Sequence, residues 1–467
     1  MLFRPSFLVA ITPSPAKASV KGDRDCYEII LTMNMTSTRR IALVWLFLCC
    51  AISVLWGYSM AYAAPNGMGD FKSLYYGTQC LIQHQDPYKA GAPLLLYLAE
   101  GDGRQQPSSS LREVLSLQVY MPPALLLIAP FAMLPLGMAS LLWTILTVVS
   151  LFMAAFLMWK LAGNCAPGLS LLLICFVIAN SEMLFVFGNP AGISLSLCMV
   201  AVWCFLERRF ELAGVVCLAV SLVVKPHDAG LVWLYFLLAG GVFRRRALQT
   251  LALAVAVSLP ALLWVTQVSP HWLPELRANL LTVSTHGYLA DPGPTSITGH
   301  NVGMIIDLQS ILSLLRDDPR FYNPATYLIC GVLLLAWTLR TLRGHFSQPS
   351  AKLALAAVTA FTLLVAYHRT ADAKLLLLTV PACAMLWAEG GPMRWIALLL
   401  NGAAIVLTAD IPLYFLLNLT RNMSLSPTGL SRQILAALLL RPIPFLLLLM
   451  GIFYLWLYLR RDAARTE

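Results

Sequence analysis

The sequence predicts an all-α fold, a polytopic bundle of about twelve transmembrane helices with further helices at its outer surface. Three observations carry this. The chain of 467 residues is 59% hydrophobic and only 12% charged, whereas a soluble domain carries roughly 25% charged residues. A chain this apolar cannot cover itself with polar surface, so lipid must be its main solvent. The apolar residues gather in runs near the length of about 20 that a helix needs to cross hydrocarbon. The Lys and Arg residues behind the net charge of +10 sit in short clusters between those runs. That placement is the pattern of topology signals and excludes a nucleic-acid-binding surface.

Residues 1–38 are polar and irregular, with Pro5, Pro13 and Pro15 before Lys17, Lys21 and Arg24. They are expected to form a cytoplasmic N-terminal segment, with Met33 or Met35 as alternative starts. Residues 39–467 form one transmembrane domain. Its first helix, 41–63, follows Arg39 and Arg40. Although Ala61-Tyr62-Ala63-Ala64 resembles a cleavage site, the apolar run exceeds the roughly 7–15 residues of a signal peptide and reads as an uncleaved helix. The further spans are 137–160, 168–187, 190–206, 211–224, 229–243, 247–268, 322–343, 351–367, 374–388, 394–409 and 435–459. Pro122–Pro135 and Asn301–Leu315 are too short to span, and the second contains Asp307. Both are expected to lie on the outer surface or to re-enter from it, where protein can bury them.

This count places both termini on one side. With Arg39-Arg40 cytoplasmic, Lys160, Arg208-Arg209, Arg244-Arg245-Arg246, Arg340, Arg343, Arg394 and Arg460-Arg461 also fall in the cytoplasm, as the positive-inside rule requires. The large loops 64–120 and 269–302 then lie outside, together with His84, His227, His271, His286, His300 and His368. Polar loops on a rigid bundle are where function concentrates, so the working face is the outer one. Of the eleven cysteines, most lie in apolar runs and act as small hydrophobes. Cys80 stands in an outer loop without a partner and is expected to be a free thiol.

Four outer segments carry candidate chemistry. Gly69-Asp70-Phe71 places a carboxylate close to the membrane surface, which is costly unless solvated or paired. Asp70 is therefore either functional or the cap of a helix starting at Phe71. Asp86-Pro87 reads as turn chemistry. Lys225-Pro226-His227-Asp228 sets a cation against the topology signal, either snorkelling to the interface or holding an anionic phosphate. Tyr367-His368-Arg369-Thr370-Ala371-Asp372-Ala373-Lys374 is a dense ionisable cluster, read as a binding site or as an internal Arg–Asp pair capping the next helix. At Gly188-Asn189-Pro190, Asn189 either caps a helix or bonds a ligand.

In this order these segments resemble the polyprenol-phosphate-sugar-dependent glycosyltransferases of the GT-C class, and most of all glycosyltransferase family 87. The matching residues are Asp70-Phe71 with Tyr75-Tyr76, Asp86-Pro87-Tyr88, Tyr120-Met121-Pro122-Pro123 with Pro130 and Leu134-Pro135, Trp143, Gly188-Asn189, Lys225-Pro226 and the cluster from His368 to Asp372. The likeness runs from about residue 40 to 390. Asn189 stands where members often have glutamine, and Ala371 where they tend to have an aromatic residue.

The resemblance implies an enzyme of a bacterial inner membrane, with its active face periplasmic. It would transfer a single sugar, mannose or another hexose or pentose, from a polyprenyl phosphate to a hydroxyl of a glycan or glycolipid acceptor, with inversion. Asp70 is then the general base, and Lys225 and Arg369 hold the departing phosphate. His227, Asp228, His368, Asp372, Asn189 and Tyr76 complete substrate binding. A donor already attached to lipid needs no nucleotide-binding loop, and no cofactor or metal ligand set is expected. The alternative is a membrane transporter or lipid flippase. It would share the helix count, but such folds often carry internal repeats and midplane sites, and neither stands out in this sequence.

Overall fold

The computed structural model describes residues 22–63, 67–101, 107–294, 304–421 and 441–461. It is 79% helical with no strand among the described residues. The chain divides into two compact units, residues 1–45 and 46–467. Helix α1 (Gly22–Ala63) runs from the first into the second. The N-terminal segment expected to be irregular is thus helical from Gly22, because no proline interrupts the chain between Pro15 and Pro65. Residues 1–21 lie outside the described residues.

The expected first loop is instead largely folded, into α2 (Gly69–Ile82), α3 (Ala92–Glu100) and α4 (Ser109–Ser116). The short proline-bounded helix is α5 (Pro122–Ala132). Then follow α6 (Leu136–Gly163), α7 (Pro167–Ala179), α8 (Glu182–Val186), α9 (Ala191–Leu206), α10 (Glu211–Val224), α11 (Pro226–Leu238) and α12 (Gly241–Val268). After α13 (Trp272–Val283) and α14 (Leu308–Leu312), the bundle resumes with α15 (Pro319–Arg343) and α16 (Gln348–Val365). A 3-10 turn, Asp372–Thr379, leads into α17 (Val380–Glu389), followed by α18 (Met393–Leu407), α19 (Asp410–Arg421) and α20 (Pro442–Arg460). Among the described residues seven helical stretches are long and apolar enough to cross a membrane, and α5, α9, α10 and α18 are shorter apolar helices.

Four elements differ from expectation, one of them the span at 374–388, which opens as the 3-10 turn Asp372–Thr379 and is α-helical only from Val380. The span placed at 229–243 ends at Leu238, because Gly240 and Gly241 both take positive φ (78° and 53°), and the next helix begins at Gly241 with Arg244–Arg246 near its start. Among the described residues of the segment 301–315, only Leu308–Leu312 is α-helical. Met304 and Ile306 instead exchange backbone hydrogen bonds with Thr370 and His368, at 3.1 and 3.0 Å. α19 was not expected, and residues 435–440 of the last span lie outside the described residues.

Alternation of these helices sorts the links to two ends. At one end Gln348 donates to Leu206 O at 2.5 Å, Lys352 to Leu161 O at 3.1 Å and Arg246 to Glu211 at 2.6 Å. The Arg208–Arg209 and Arg244–Arg246 clusters lie there. The opposite end gathers α2, the α8–α9 link, the α10–α11 link and residues 366–372. There α2 packs on α5, and Phe71 stacks on Trp143 with ring centroids 5.1 Å apart.

Helix α13 ties this end together. Asn279 donates to the Tyr88 and Gln118 carbonyls at 2.9 and 3.1 Å, and Ser269 Oγ donates to Asp86 at 2.6 Å. Asp86 also accepts from the Tyr88 N–H at 2.9 Å, the turn chemistry read from Asp86-Pro87. The neighbouring Asp86 carboxyl, then burial, pushes Glu275 up to about 7 from an ordinary 4.5. A carboxyl raised on folding contributes stability that is fully present below its unfolded pKa and is lost as pH rises through its folded one. The thermal midpoint in micelles is therefore expected to fall between about pH 4.5 and pH 7 by this contribution. Glu275→Gln, which keeps a donor to Asp86 at every pH, should remove that slope; an unchanged slope would show that the pair does not clamp the fold.

Candidate active site

Asp70 is positioned by backbone before its side chain does anything. Met68 turns the chain with φ 59° and donates its N–H to Val186 O at 2.7 Å. The N–H groups of Asp70 and Phe71 both donate to Phe187 O, at 2.9 and 3.3 Å. The otherwise unpartnered donors of the first turn of α2 are thus satisfied by the α8–α9 link. Met68 holds the cap position and Asp70 is not the helix cap. Its carboxylate accepts from Asn189 Nδ2 at 2.7 Å, and Asn189 Oδ1 accepts the Ala191 N–H at 2.9 Å. Asn189 therefore turns the chain into α9, whose cap position is Pro190, and holds Asp70 at once. Gly188 makes the approach possible: its φ is +61°, its carbonyl accepts from Trp143 Nε1 at 3.0 Å, and a Cβ there would lie 2.7 Å from Phe71 Cβ.

A second layer joins the α10–α11 link to residues 366–372. The Lys225 ammonium donates to Asp372 Oδ1 at 2.5 Å and lies 3.4 Å from Asp228 Oδ2. Burial opposes its charge, yet the two carboxylates outweigh burial and raise its pKa. Lys225 is buried and does not snorkel. Asp372 Oδ2 accepts the Arg369 N–H at 2.9 Å, so the internal pair expected between Arg369 and Asp372 involves the Arg369 backbone. The guanidinium turns instead to the Tyr367 hydroxyl. Asp228 Oδ1 faces the Nε2 atoms of His368 and His227 at 3.3 and 3.5 Å. His227, Asp228 and His368 together bring three donor atoms within 4.8 Å of one another.

Asp70, Tyr120, Asn189, Tyr367 and Arg369 are only half-buried, while Lys225, Asp228, His368 and Asp372 are buried behind them. Desolvation raises the Asp70 pKa, and the charges of Arg369 and Lys225 partly offset it. Burial, then the Asp70 charge, keeps the Tyr120 phenol protonated far above its ordinary range. Behind Ile306, desolvation pushes the fully buried Asp307 up to about 7, where it caps α14 by accepting from Ser310 N at 2.8 Å. The arrangement offers a poised carboxylate, a phenol donor and a guanidinium on an accessible edge, which suits proton abstraction beside an anionic group.

Of the site residues named from sequence, all but Tyr76 come together here, while Lys374 of the same ionisable cluster turns away to the Asn180 carbonyl and Asp410, at 2.7 and 3.2 Å. Tyr76 is buried in α2, donates to Glu100 at 2.6 Å and packs edge-on against Tyr75 and Tyr97. Tyr120 and Tyr367 were not assigned roles, although both stand in segments that the sequence marked: Tyr120 before Met121-Pro122-Pro123, Tyr367 before His368.

Fold and site thus define a polytopic membrane protein with a charged, partly accessible centre at one end of its helices. The model of glycosyltransferase family 87 matches residues 119–366, more than half of the chain. The chain belongs to that family and is a membrane glycosyltransferase. This selects the enzyme over the transporter alternative. No curated protein and no solved structure matches the chain. The matched region includes Tyr120, Asn189, Lys225, His227 and Asp228, and Asp70 and residues 368–372 lie beyond it.

Gly188→Ala is expected to cost about 1–3 kcal/mol, from a left-handed alanine, and to push α2 from the α8–α9 link. Unfolding in micelles would measure it, and wild-type stability would mean that the Phe71 contact relaxes freely.

Proposed function

We propose that this glycosyltransferase moves a single sugar from a polyprenyl-phosphate carrier to an acceptor hydroxyl, with Asp70 as general base. The observation that carries the reading is the Asp70 carboxylate, held by Asn189 through one oxygen and half-exposed beside Arg369 and Tyr120. Asp70 takes the proton of the acceptor hydroxyl as its oxygen attacks the anomeric carbon. The bond from that carbon to the phosphate oxygen breaks, and one displacement inverts the centre. The leaving polyprenyl phosphate gains negative charge, which the Arg369 guanidinium meets. Lys225 is already matched by Asp228 and Asp372, so it acts from behind by fixing the segment that carries Arg369. His227, exposed at the first turn of α11, is a second group at the edge of the phosphate site.

The basic links lie at the opposite end of the helices. With those links cytoplasmic under the positive-inside rule, the site faces the outside of a bacterial inner membrane, where a lipid-borne donor meets a glycan or glycolipid acceptor. The sugar is mannose or another hexose or pentose.

Membranes carrying Asp70→Asn should transfer label from a radiolabelled polyprenyl-phosphate sugar about 10²–10⁴-fold more slowly than wild type, with donor binding retained. Because burial raises the Asp70 pKa, the wild-type rate should climb with pH through a midpoint above the usual carboxylate range as Asp70 ionises. Equal rates for the two proteins at matched abundance would remove Asp70 from the role of base.

A further inference from the structure

Two imidazole nitrogens aim at one carboxylate oxygen in the layer behind Arg369. His368 Nε2 and His227 Nε2 lie 3.3 and 3.5 Å from Asp228 Oδ1. His368 and Asp228 are wholly buried, whereas the His227 side chain is 42% exposed. His368 Nδ1 stands 2.9 Å from the Ala366 carbonyl, which can only accept, so Nδ1 carries a proton. In the neutral ring Nε2 then presents a lone pair to Asp228. No well-formed hydrogen bond reaches His368 Nε2 or either Asp228 oxygen among the described residues, although all three atoms are buried. A proton on His368 would serve only one of the two imidazoles.

We propose that His227, Asp228 and His368 form a binding site for one divalent first-row transition-metal ion, of the zinc type. Two imidazoles and a carboxylate are a known ligand set for such ions, and a site with three protein ligands keeps a position open. Bonds of about 2.0–2.1 Å at tetrahedral angles put ligand atoms about 3.3–3.4 Å apart. The separations from Asp228 Oδ1 are 3.3 and 3.5 Å. His227, at the accessible edge, can close the remaining gap by turning its ring. The Nδ1–H to carbonyl bond of His368 is the outer-shell contact that fixes a metal-binding histidine in its tautomer. Lys225 approaches the other oxygen of Asp228, at 3.4 Å, and leaves Oδ1 to the imidazoles. With Asp372 and Asp228 against Lys225, the neighbourhood carries one net negative charge when the imidazoles are neutral, and a divalent ion turns it positive. Its existence stands on this geometry; its use, helping to neutralise the donor phosphate, rests on the proposed sugar transfer.

The test is a cobalt(II) titration of the purified full-length chain in nanodiscs after stripping with chelator, followed by visible absorption and by metal content after gel filtration. One cobalt per chain is expected, with ligand-field bands that zinc abolishes. His227→Ala, at an exposed position, should weaken binding by roughly 10–100-fold or more while eluting as wild type. His271→Ala, an exposed histidine outside the cluster, should bind like wild type. No stoichiometric cobalt, a thiolate charge-transfer spectrum, or unchanged affinity in His227→Ala would overturn the site. Transfer assays on the same samples separate the two readings. Transfer without cobalt binding rejects the metal site alone, whereas cobalt binding without transfer from any polyprenyl-phosphate sugar rejects the donor assignment alone.

Discussion

The Lys225 ammonium lies buried between two carboxylates from different parts of the chain, 2.5 Å from Asp372 and 3.4 Å from Asp228. Removing one partner of a buried pair typically costs about 3–5 kcal/mol, because the other charge is left uncompensated. The break between α10 and α11 and the irregular stretch before the 3-10 turn are therefore bound to one another. Non-helical backbone at membrane depth survives only where protein satisfies it. Here the same stretch also pairs with residues 304–306 through backbone hydrogen bonds. Arg369, Tyr367 and His368 are held in place by this arrangement.

Asp70 reaches the same place by a different route. Three backbone donors at the start of α2 meet the carbonyls of Val186 and Phe187, and Asn189 closes the contact from its side chain. The glycine that permits the approach takes positive φ, a conformation in which a side chain is strained. The outcome is a carboxylate on a rigid helix rather than on a mobile loop. It is desolvated enough to be a stronger base, and close enough to Arg369 for that charge to act on it.

Much of the site was legible in the sequence, because ionisable residues between apolar runs stand out where lipid forbids them. Asp70, Asn189, Lys225, Asp228, His368, Arg369 and Asp372 were all marked this way, or by the likeness that their order gave. Their division of labour was not legible. Lys225 reads as a phosphate cation until its two carboxylate partners appear, and they lie 3 and 147 residues away along the chain. Tyr76 joins the expected site through the resemblance, but one face of α2 turns it to Glu100. Convergence of two histidines on Asp228 needs a contact between α11 and the segment after α16, which no spacing along the chain encodes.

The sequence by itself determined that lipid is the main solvent of this protein and that its polar chemistry collects between apolar runs, since hydrophobic length and the placement of arginines are local properties. It also determined the order of motifs that goes with glycosyltransferase family 87. Only the tertiary structure decided which charges are matched and which remain accessible. It folded the first long loop into helices α2 to α4, set Met304 and Ile306 against residues 368–370 ahead of the short helix α14, and set Asp228 between two imidazoles. These outcomes depend on how helices pack, and on backbone groups finding partners across distant segments, so no local pattern could have contained them.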